Sequence, residues 1–145
     1  MKKVLVTGAE GFIGRNLIAR LEQRQDIEVL AIDIRNLASE LDSALALADF
    51  VMHLAGVNRP KDTVEFDTGN RGFTEDLLLK LEARKAKVPV LLSSSIQAAL
   101  DNPYGTSKRA SEEALRAYGV RTGAPVHLFR LPNVFGKWCR PNYNS

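Results

Sequence analysis

Residues 2–14 read KKVLVTGAEGFIG, and the reading of the whole chain turns on them. Val4, Leu5 and Val6 form an apolar run that leads into Thr7-Gly8, after which Gly11 and Gly14 follow at three-residue intervals. Phe12, Ile13, Leu17, Ile18 and Leu21 come next at helical spacing. A buried strand turning sharply into a helix with a glycine-lined N-terminus is suited to holding phosphate. The first helical turn presents backbone N–H groups that lack intrahelical acceptors, together with the positive end of the dipole. Glycine lets a pyrophosphate come close to that backbone. The stretch therefore predicts a dinucleotide site; a glycine-rich turn that binds nothing is the competing reading, and the remaining chain decides between them.

Outward from this turn, residues 28–33 (EVLAID) predict a second short buried strand that ends in an acid. Leu37, Leu41, Leu45 and Ala48 then mark a helix with one apolar stripe. A third strand is expected over 49–56 (DFVMHLAG), a helix over 65–87, and a fourth strand over 88–94 that runs into Ser95. Asn102-Pro103 signals a helix start, an N-cap residue followed by proline in the first turn. That helix should reach about Gly119, with Gly123 and Pro125 as stop signals, before a fifth strand over 126–131. Residues 132–145 show no periodicity. Apolar strands alternating with helices predict an α/β fold, a Rossmann-type doubly wound parallel sheet covered on both faces. Ligands on such sheets bind beyond the carboxyl ends of the strands, and Gly8, Asp33, Ala55-Gly56, Ser95 and Pro132-Asn133 all fall there.

Composition narrows the partners. The chain has 145 residues, 45% hydrophobic and 26% charged, which suits one soluble domain with a real core. A formal charge of +3, spread along the chain, argues against nucleic acid and against a membrane surface. No apolar run approaches the length of a membrane span, and the N-terminus passes directly into a strand without a signal peptide. Cys139 is the only cysteine, which fits a reducing cytoplasm. His53 and His127 read as strand residues rather than metal ligands, and no metal site is expected.

Two groups of residues carry chemistry. Asp33, at the end of the second strand, is placed to accept hydrogen bonds from adenosine ribose hydroxyls, as in NAD sites. Arg35, two residues on, could instead pair with a 2′-phosphate, so the residues leave the cofactor open. Tyr104 and Lys108 stand four apart near a helix start and share one face. A phenol titrates near about 10 and is a poor acid–base at neutral pH until a neighbouring ammonium stabilises its anion. So helped, it can give a proton to a carbonyl oxygen as hydride reaches the carbon, or take one in reverse. A nearby hydroxyl would hold that oxygen; Ser95 is the candidate, with Ser94 as fallback.

TGAEGFIG, HLAG, SSS, YGTSK and RLPNVFG, in that order, resemble the extended short-chain dehydrogenases/reductases, the epimerase/dehydratase/reductase group acting on nucleotide sugars. The resemblance implies that Gly8, Gly11 and Gly14 hold a pyrophosphate, with Phe12 and Ile13 offering backbone N–H groups. It implies that Ala55 and Gly56 pass along the cofactor. Tyr104 would be the catalytic acid–base, and Lys108 would bind the nicotinamide ribose and tune Tyr104. HLAGVNRP, LLSSSIQAALDNPYGTSK and PNVFGKWCRPNYNS are similar, more narrowly, to a bacterial subfamily of surface-polysaccharide enzymes. That subfamily uses NADPH to reduce the C4 ketone of a UDP-linked 4-keto-6-deoxy-N-acetylhexosamine to the L-talose sugar, a precursor of UDP-N-acetyl-L-fucosamine. A separate metal-bearing cupin domain performs a C3 epimerisation there first. Asn58, Arg59, Asn133 and Arg140, with Lys137, Trp138 and Asn142, would then face the UDP-sugar. NADP(H) is the implied cofactor and NAD(H) the alternative, and the full-length family implies a homodimer.

Three features depart from the broader group. Tyr104 stands only nine positions after Ser95, a brevity that the narrower subfamily shares. Asp33 is the NAD-type residue. The chain stops at Ser145, within a continuing motif, so the expectation is a C-terminally truncated domain lacking the substrate-binding part and the cupin domain. Two other readings remain: an NAD-dependent 4-epimerase or dehydratase, and a cofactor-binding domain without turnover. Dehydratases usually place an acidic pair where Ile96-Gln97 stand.

Overall fold

The structure, a computed structural model, describes residues 1–33, 35–56 and 67–139. Strand and helix alternate through them. The order is β1 (Lys2–Thr7), α1 (Phe12–Leu21), β2 (Ile27–Ile32), α2 (Ala38–Leu47) and β3 (Phe50–His53). A π-helical turn (Asp67–Gly72) leads into α3 (Phe73–Ala83) and β4 (Val90–Ser95). A 3-10 turn (Ile96–Ala99), α4 (Pro103–Thr122) and β5 (Val126–Leu131) complete it. Among the described residues five parallel strands form one sheet in the order β2-β1-β3-β4-β5. This is the doubly wound α/β sheet that the sequence predicts. From β1 the chain first moves outward to β2, then returns to build β3, β4 and β5 on the other side. The strand order reverses between β1 and β3, and a crevice opens at their carboxyl ends.

The register assigns the two faces. Val4 and Val6 pair with Phe50 and Met52, and these side chains share one face with α1. Leu5, Val51, Val90 and Leu92 point to the other face and pack with Leu45, Leu77, Leu81, Leu115 and Tyr118 from α2, α3 and α4. Both faces carry helices, as expected, but the cover is unequal. Right-handed crossovers send α2, α3 and α4 to one face because β3, β4 and β5 are added in a single direction. Only α1 lies on the other face among the described residues, and Phe129 of β5 stays 52% exposed there.

Element ends differ from the sequence reading for local reasons. β3 stops at His53, not Gly56, because the Leu54 and Ala55 N–H groups donate to the Thr7 hydroxyl oxygen instead of to a strand. The third helix is preceded by the π-helical turn and ends at Ala83, where Lys85 takes a positive φ of 56°. α4 begins as expected, with the Asn102 side chain accepting from the Gly105 N–H at 2.7 Å and Pro103 in the first turn. It passes Gly119 and ends at Thr122, with Gly123 in the left-handed conformation (φ 76°) that closes many helices.

Tyr118 is fully buried and donates its hydroxyl to the Val88 carbonyl at 2.7 Å, which joins α4 to the strand-entry loop of β4. Tyr118→Phe keeps the ring but strands that carbonyl. It should lower the unfolding free energy by about 1–2 kcal/mol in urea denaturation; an unchanged midpoint would show that the bond contributes nothing.

Candidate active site

Each glycine of the opening turn has its own steric reason. Gly8 holds φ 70°, and a Cβ there would meet the Ala55 nitrogen at 2.8 Å and the Leu54 carbonyl carbon at 2.9 Å. The chain leaving β3 thus lies against the turn. Gly14, in the first turn of α1, has its Cα so close to the Gly8 carbonyl that any side chain would collide with it. Gly11 is the N-cap of α1 and has no side chain to cap the helix. The N–H groups of Phe12, Ile13 and Gly14 belong to the first turn and have no intrahelical acceptors. No acidic side chain occupies that turn, and so its positive end faces outward.

The helix start opens onto a cavity of about 890 Å³ at the carboxyl edge of the sheet. Gly8, Gly11, Phe12, Ile13, Gly14, Gly56, Ser95, Tyr104, Lys108 and Asn133 all line it, so the sequence-predicted site residues converge on one space. Ala55 stands between the lining residues Leu54 and Gly56. Asp33 and Arg35 are not among the residues lining the cavity and instead contact Glu10 of the glycine loop. Asp33 Oδ2 accepts the Glu10 N–H at 2.7 Å, and Arg35 Nε lies 3.7 Å from the Glu10 carboxylate. Asn58, Arg59, Arg140 and Asn142 lie outside the described residues. In the tail, Asn133 and Cys139 face the cavity. Lys137 instead lies over the Trp138 ring at 4.8 Å, and its carbonyl accepts from Asn16 of α1 at 2.9 Å. The tail therefore crosses from β5 back to the start of α1.

Lys108 is nearly buried, 6% exposed, and its ammonium donates to the Ser93 carbonyl at 3.3 Å. It lies 5.9 Å from the centroid of the Tyr104 ring, one turn earlier on the same helix face. Burial pushes the Lys108 pKa down to about 8, against an upward pull from Glu112. Ser95 caps the 3-10 turn, its oxygen accepting the Gln97 N–H at 3.1 Å. Ser94 is engaged elsewhere: its hydroxyl donates to Glu112 at 2.6 Å. Of these two serines, Ser95 is the one with a proton to offer the cavity.

Two buried residues were not singled out from the sequence. Glu112, with its side chain 0% exposed, accepts from Ser94 and from the Arg130 guanidinium, whose Nη2 lies 2.8 Å away. Burial pushes its carboxyl up, but the hydrogen bonds from Arg130 and Ser94 prevail and hold it below the ordinary value. Asn70, 2% exposed, donates to Ser107 at 2.9 Å. A legible signal existed for both, because Asn70 and Glu112 each interrupt the apolar stripe of a helical segment.

Comparison with known proteins adds kinship to this geometry. The model of the family described as NAD dependent epimerase/dehydratase matches residues 4–145. A UDP-2-acetamido-2,6-beta-L-arabino-hexul-4-ose reductase of Pseudomonas aeruginosa is 52% identical over 143 residues, 99% of this chain and 38% of that protein. A GDP-6-deoxy-D-talose 4-dehydrogenase of Aggregatibacter actinomycetemcomitans is 31% identical, over 92% of this chain and 53% of that protein. Among solved structures, the capsular polysaccharide assembling protein CapF from Staphylococcus aureus superposes with a TM-score of 0.84 at 48% identity. That match covers 98% of this chain and 38% of CapF. The chain thus spans between about a third and a half of the length of these relatives.

The depressed Lys108 pKa has a direct consequence for stability. An unfolded lysine keeps its proton to about 10.5 and the folded one only to about 8, so between those values the unfolded chain binds more protons. Folding should therefore gain stability as pH rises through that window, and Lys108→Met should remove the gain. Carbon-13 NMR of the lysine ε-carbons should show one midpoint near 8 that vanishes in this variant. A Lys108 midpoint at the ordinary lysine value would refute the assignment.

Proposed function

The chain belongs to the NAD dependent epimerase/dehydratase family, and from that premise we propose that it carries the cofactor site and acid–base pair of a nucleotide-sugar C4-ketone reductase. The substrate class is a UDP-linked 4-keto-6-deoxy-N-acetylhexosamine of surface-polysaccharide synthesis. One observation carries the reading: a glycine-lined helix start and a Tyr104–Lys108 pair open onto the same cavity, with Ser95 beside them. Two relatives named for chemistry at C4 of nucleotide sugars support it.

The residues fit a pyridine dinucleotide. The N–H groups of Phe12 and Ile13 and the bare backbone of Gly8, Gly11 and Gly14 suit a pyrophosphate. Ala55 and Gly56 leave room for the cofactor's path, since a Cβ at Gly56 would meet Lys108 Nζ at 3.0 Å. A reduced nicotinamide held there would supply the hydride for C4. Tyr104 donates its phenolic proton to the ketone oxygen, turning C=O into CH–OH. Lys108 stabilises the phenolate that remains and holds the ribose hydroxyls. The Ser95 hydroxyl donates to the same ketone oxygen and fixes its position.

We assign NADP(H) as the cofactor, with NAD(H) the alternative. Asp33 already caps the Glu10 N–H, while the Arg35 side chain, 84% exposed, is held among the described residues by its 3.7 Å contact with Glu10. Arg35 is thus placed to turn toward a 2′-phosphate. Asn133, with Asn58, Arg59 and Arg140, is assigned to the sugar diphosphate side. We assign residues 1–145 to the cofactor-binding domain, and sugar positioning also to a further region of the kind that fills the relatives' greater length. The same reading places the protein in the cytoplasm, as a homodimer in its full-length form. No helix among the described residues is long and apolar enough to cross a membrane.

Fluorescence titration should show binding of NADPH to the folded chain, and of NADH more weakly; no binding of either would end the proposal. Arg35→Ala should narrow the preference for NADPH about tenfold, and an unchanged ratio would remove Arg35 from that role. Tyr104→Phe should abolish ketone reduction in a form of the protein that turns over, with cofactor affinity within about twofold of wild type. Retained turnover would take the acid–base role from Tyr104.

A further inference from the structure

A single directional chain of buried hydrogen bonds runs from the end of β1 to the start of α4, and His53 is its centre. The Thr74 hydroxyl donates to the Asn70 carbonyl at 2.6 Å, which uses its only proton. The 3.0 Å contact between Thr74 Oγ1 and His53 Nε2 must then be donated by the ring. Nδ1 is left as an acceptor, and the Thr7 hydroxyl donates to it at 2.6 Å. Thr7 is able to do so because its oxygen takes the Leu54 and Ala55 N–H groups, at 3.1 Å each, on its lone pairs. The geometry thus fixes His53 as the neutral ring protonated at Nε2. Burial, reinforced by the charge of Lys108, agrees, pushing its pKa down to about 3.

Beyond Thr74 the chain turns toward the site. Asn70 Nδ2 donates to Ser107 Oγ at 2.9 Å, and Ser107 in turn donates to the Tyr104 carbonyl at 2.8 Å. A methyl placed on Gly56 would lie 2.7 Å from Asn70 Oδ1 and 3.0 Å from Lys108 Nζ, so the amide oxygen and the ammonium both border Gly56 at the cavity wall. Asn70 is carried there by the π-helical turn Asp67–Gly72, a costly local geometry that tends to occur at functional sites. Thr7, His53, Asn70, Thr74 and Ser107 are all 5% exposed or less. Apolar residues of similar shape would fill the same volume without the cost of desolvating five polar groups.

We propose that His53 is a positioning residue for the Tyr104–Lys108 pair, holding Thr74 and the π-helical turn so that Asn70 keeps its bond to Ser107 and its place, with Lys108, beside Gly56. This rests on the proposed reductase site and adds to it a residue that touches neither cofactor nor sugar. His53→Phe keeps the volume and the packing on Phe73, whose ring centroid lies 5.2 Å away, but breaks both links. Thr74→Val breaks only the link between His53 and Asn70, with little change of shape.

The test uses the whole chain. Nitrogen-15 NMR of labelled histidine should show a His53 ring protonated at Nε2 alone and uncharged at pH 6; an Nδ1-protonated ring or a cation overturns the proposal. In folded His53→Phe and Thr74→Val, the Lys108 midpoint, read from the lysine ε-carbons, should fall by about half a unit as the Asn70 amide dipole moves away from Gly56. NADPH affinity should weaken about tenfold, and His53→Gln, whose amide both accepts and donates, should recover most of both readouts. A role in packing alone predicts a lower melting temperature with the Lys108 midpoint and the affinity unchanged, and that result overturns the proposal. Should wild type bind no NADPH, the reductase reading fails, while the Lys108 midpoint still decides the role of His53.

Discussion

The arrangement depends on one hydroxyl. Thr7 ends β1, fully buried, and its oxygen accepts two successive N–H groups from the chain leaving β3 while its proton goes to His53. Those two acceptances stop β3 from continuing as a strand. They also bring Leu54 and Ala55 so close to Gly8 that only glycine fits there. The crevice that topology opens between β1 and β3 thereby acquires a fixed floor. A valine at position 7 would fill the space equally well, but it would strand two N–H groups and the histidine ring together.

Charge in the site is balanced in two layers. Lys108 is buried with no carboxylate bonded to it among the described residues; its ammonium donates to the Ser93 carbonyl, and Glu112 acts on it from one helical turn away. Glu112 is itself satisfied by Arg130 and Ser94, with Arg116 at 3.6 Å. Pairing the carboxylate outward, to a guanidinium on β5, leaves the lysine with a lowered proton affinity and a charge that serves the cavity. Were Glu112 to contact Lys108 directly, the ammonium would be neutralised where the proposed reaction needs a phenolate stabilised. Arg130 is 40% exposed, so solvent tempers that pair, and its main effect is to tie α4 to β5 behind the site.

How far the sequence could be read follows from the range of each interaction. The glycine turn, the strand alternation, the Asn102-Pro103 start and the Gly123 stop are decided within a few residues, and each stands where periodicity and capping place it. Tyr104, Lys108, Ser95 and the glycines share one cavity because strand ends meet at one edge of any such sheet. The end of β3, the π-helical turn and the roles of Asn70 and Glu112 rest on partners 15 to 50 positions away. Thr7 reaches Ala55 across 48 positions, and Glu112 reaches Arg130 across 18. No local pattern encodes such pairings; it shows only that a polar residue stands where an apolar one is expected. His53 was read as a strand residue, which it is, but strand geometry alone does not reveal that both ring nitrogens are engaged.

The two faces of the sheet divide the work. The face packed by α2, α3 and α4 holds nearly all the buried polar groups: Thr7, His53, Asn70, Ser94 and Glu112 lie among close-packed apolar side chains. Tyr104 and Lys108 start from the helix on that side, so they inherit its rigidity, which acid–base chemistry requires to within a fraction of an ångström. Ser95 pairs in register with Leu131 on the side of α1, where the cover is thin and the irregular tail passes. In the proposed reductase the acid–base pair is thus anchored in the core, while Ser95 sits at a margin that loops complete. If the proposed reductase function holds, such a division would let the sugar change through the loops while the acid–base pair stays fixed.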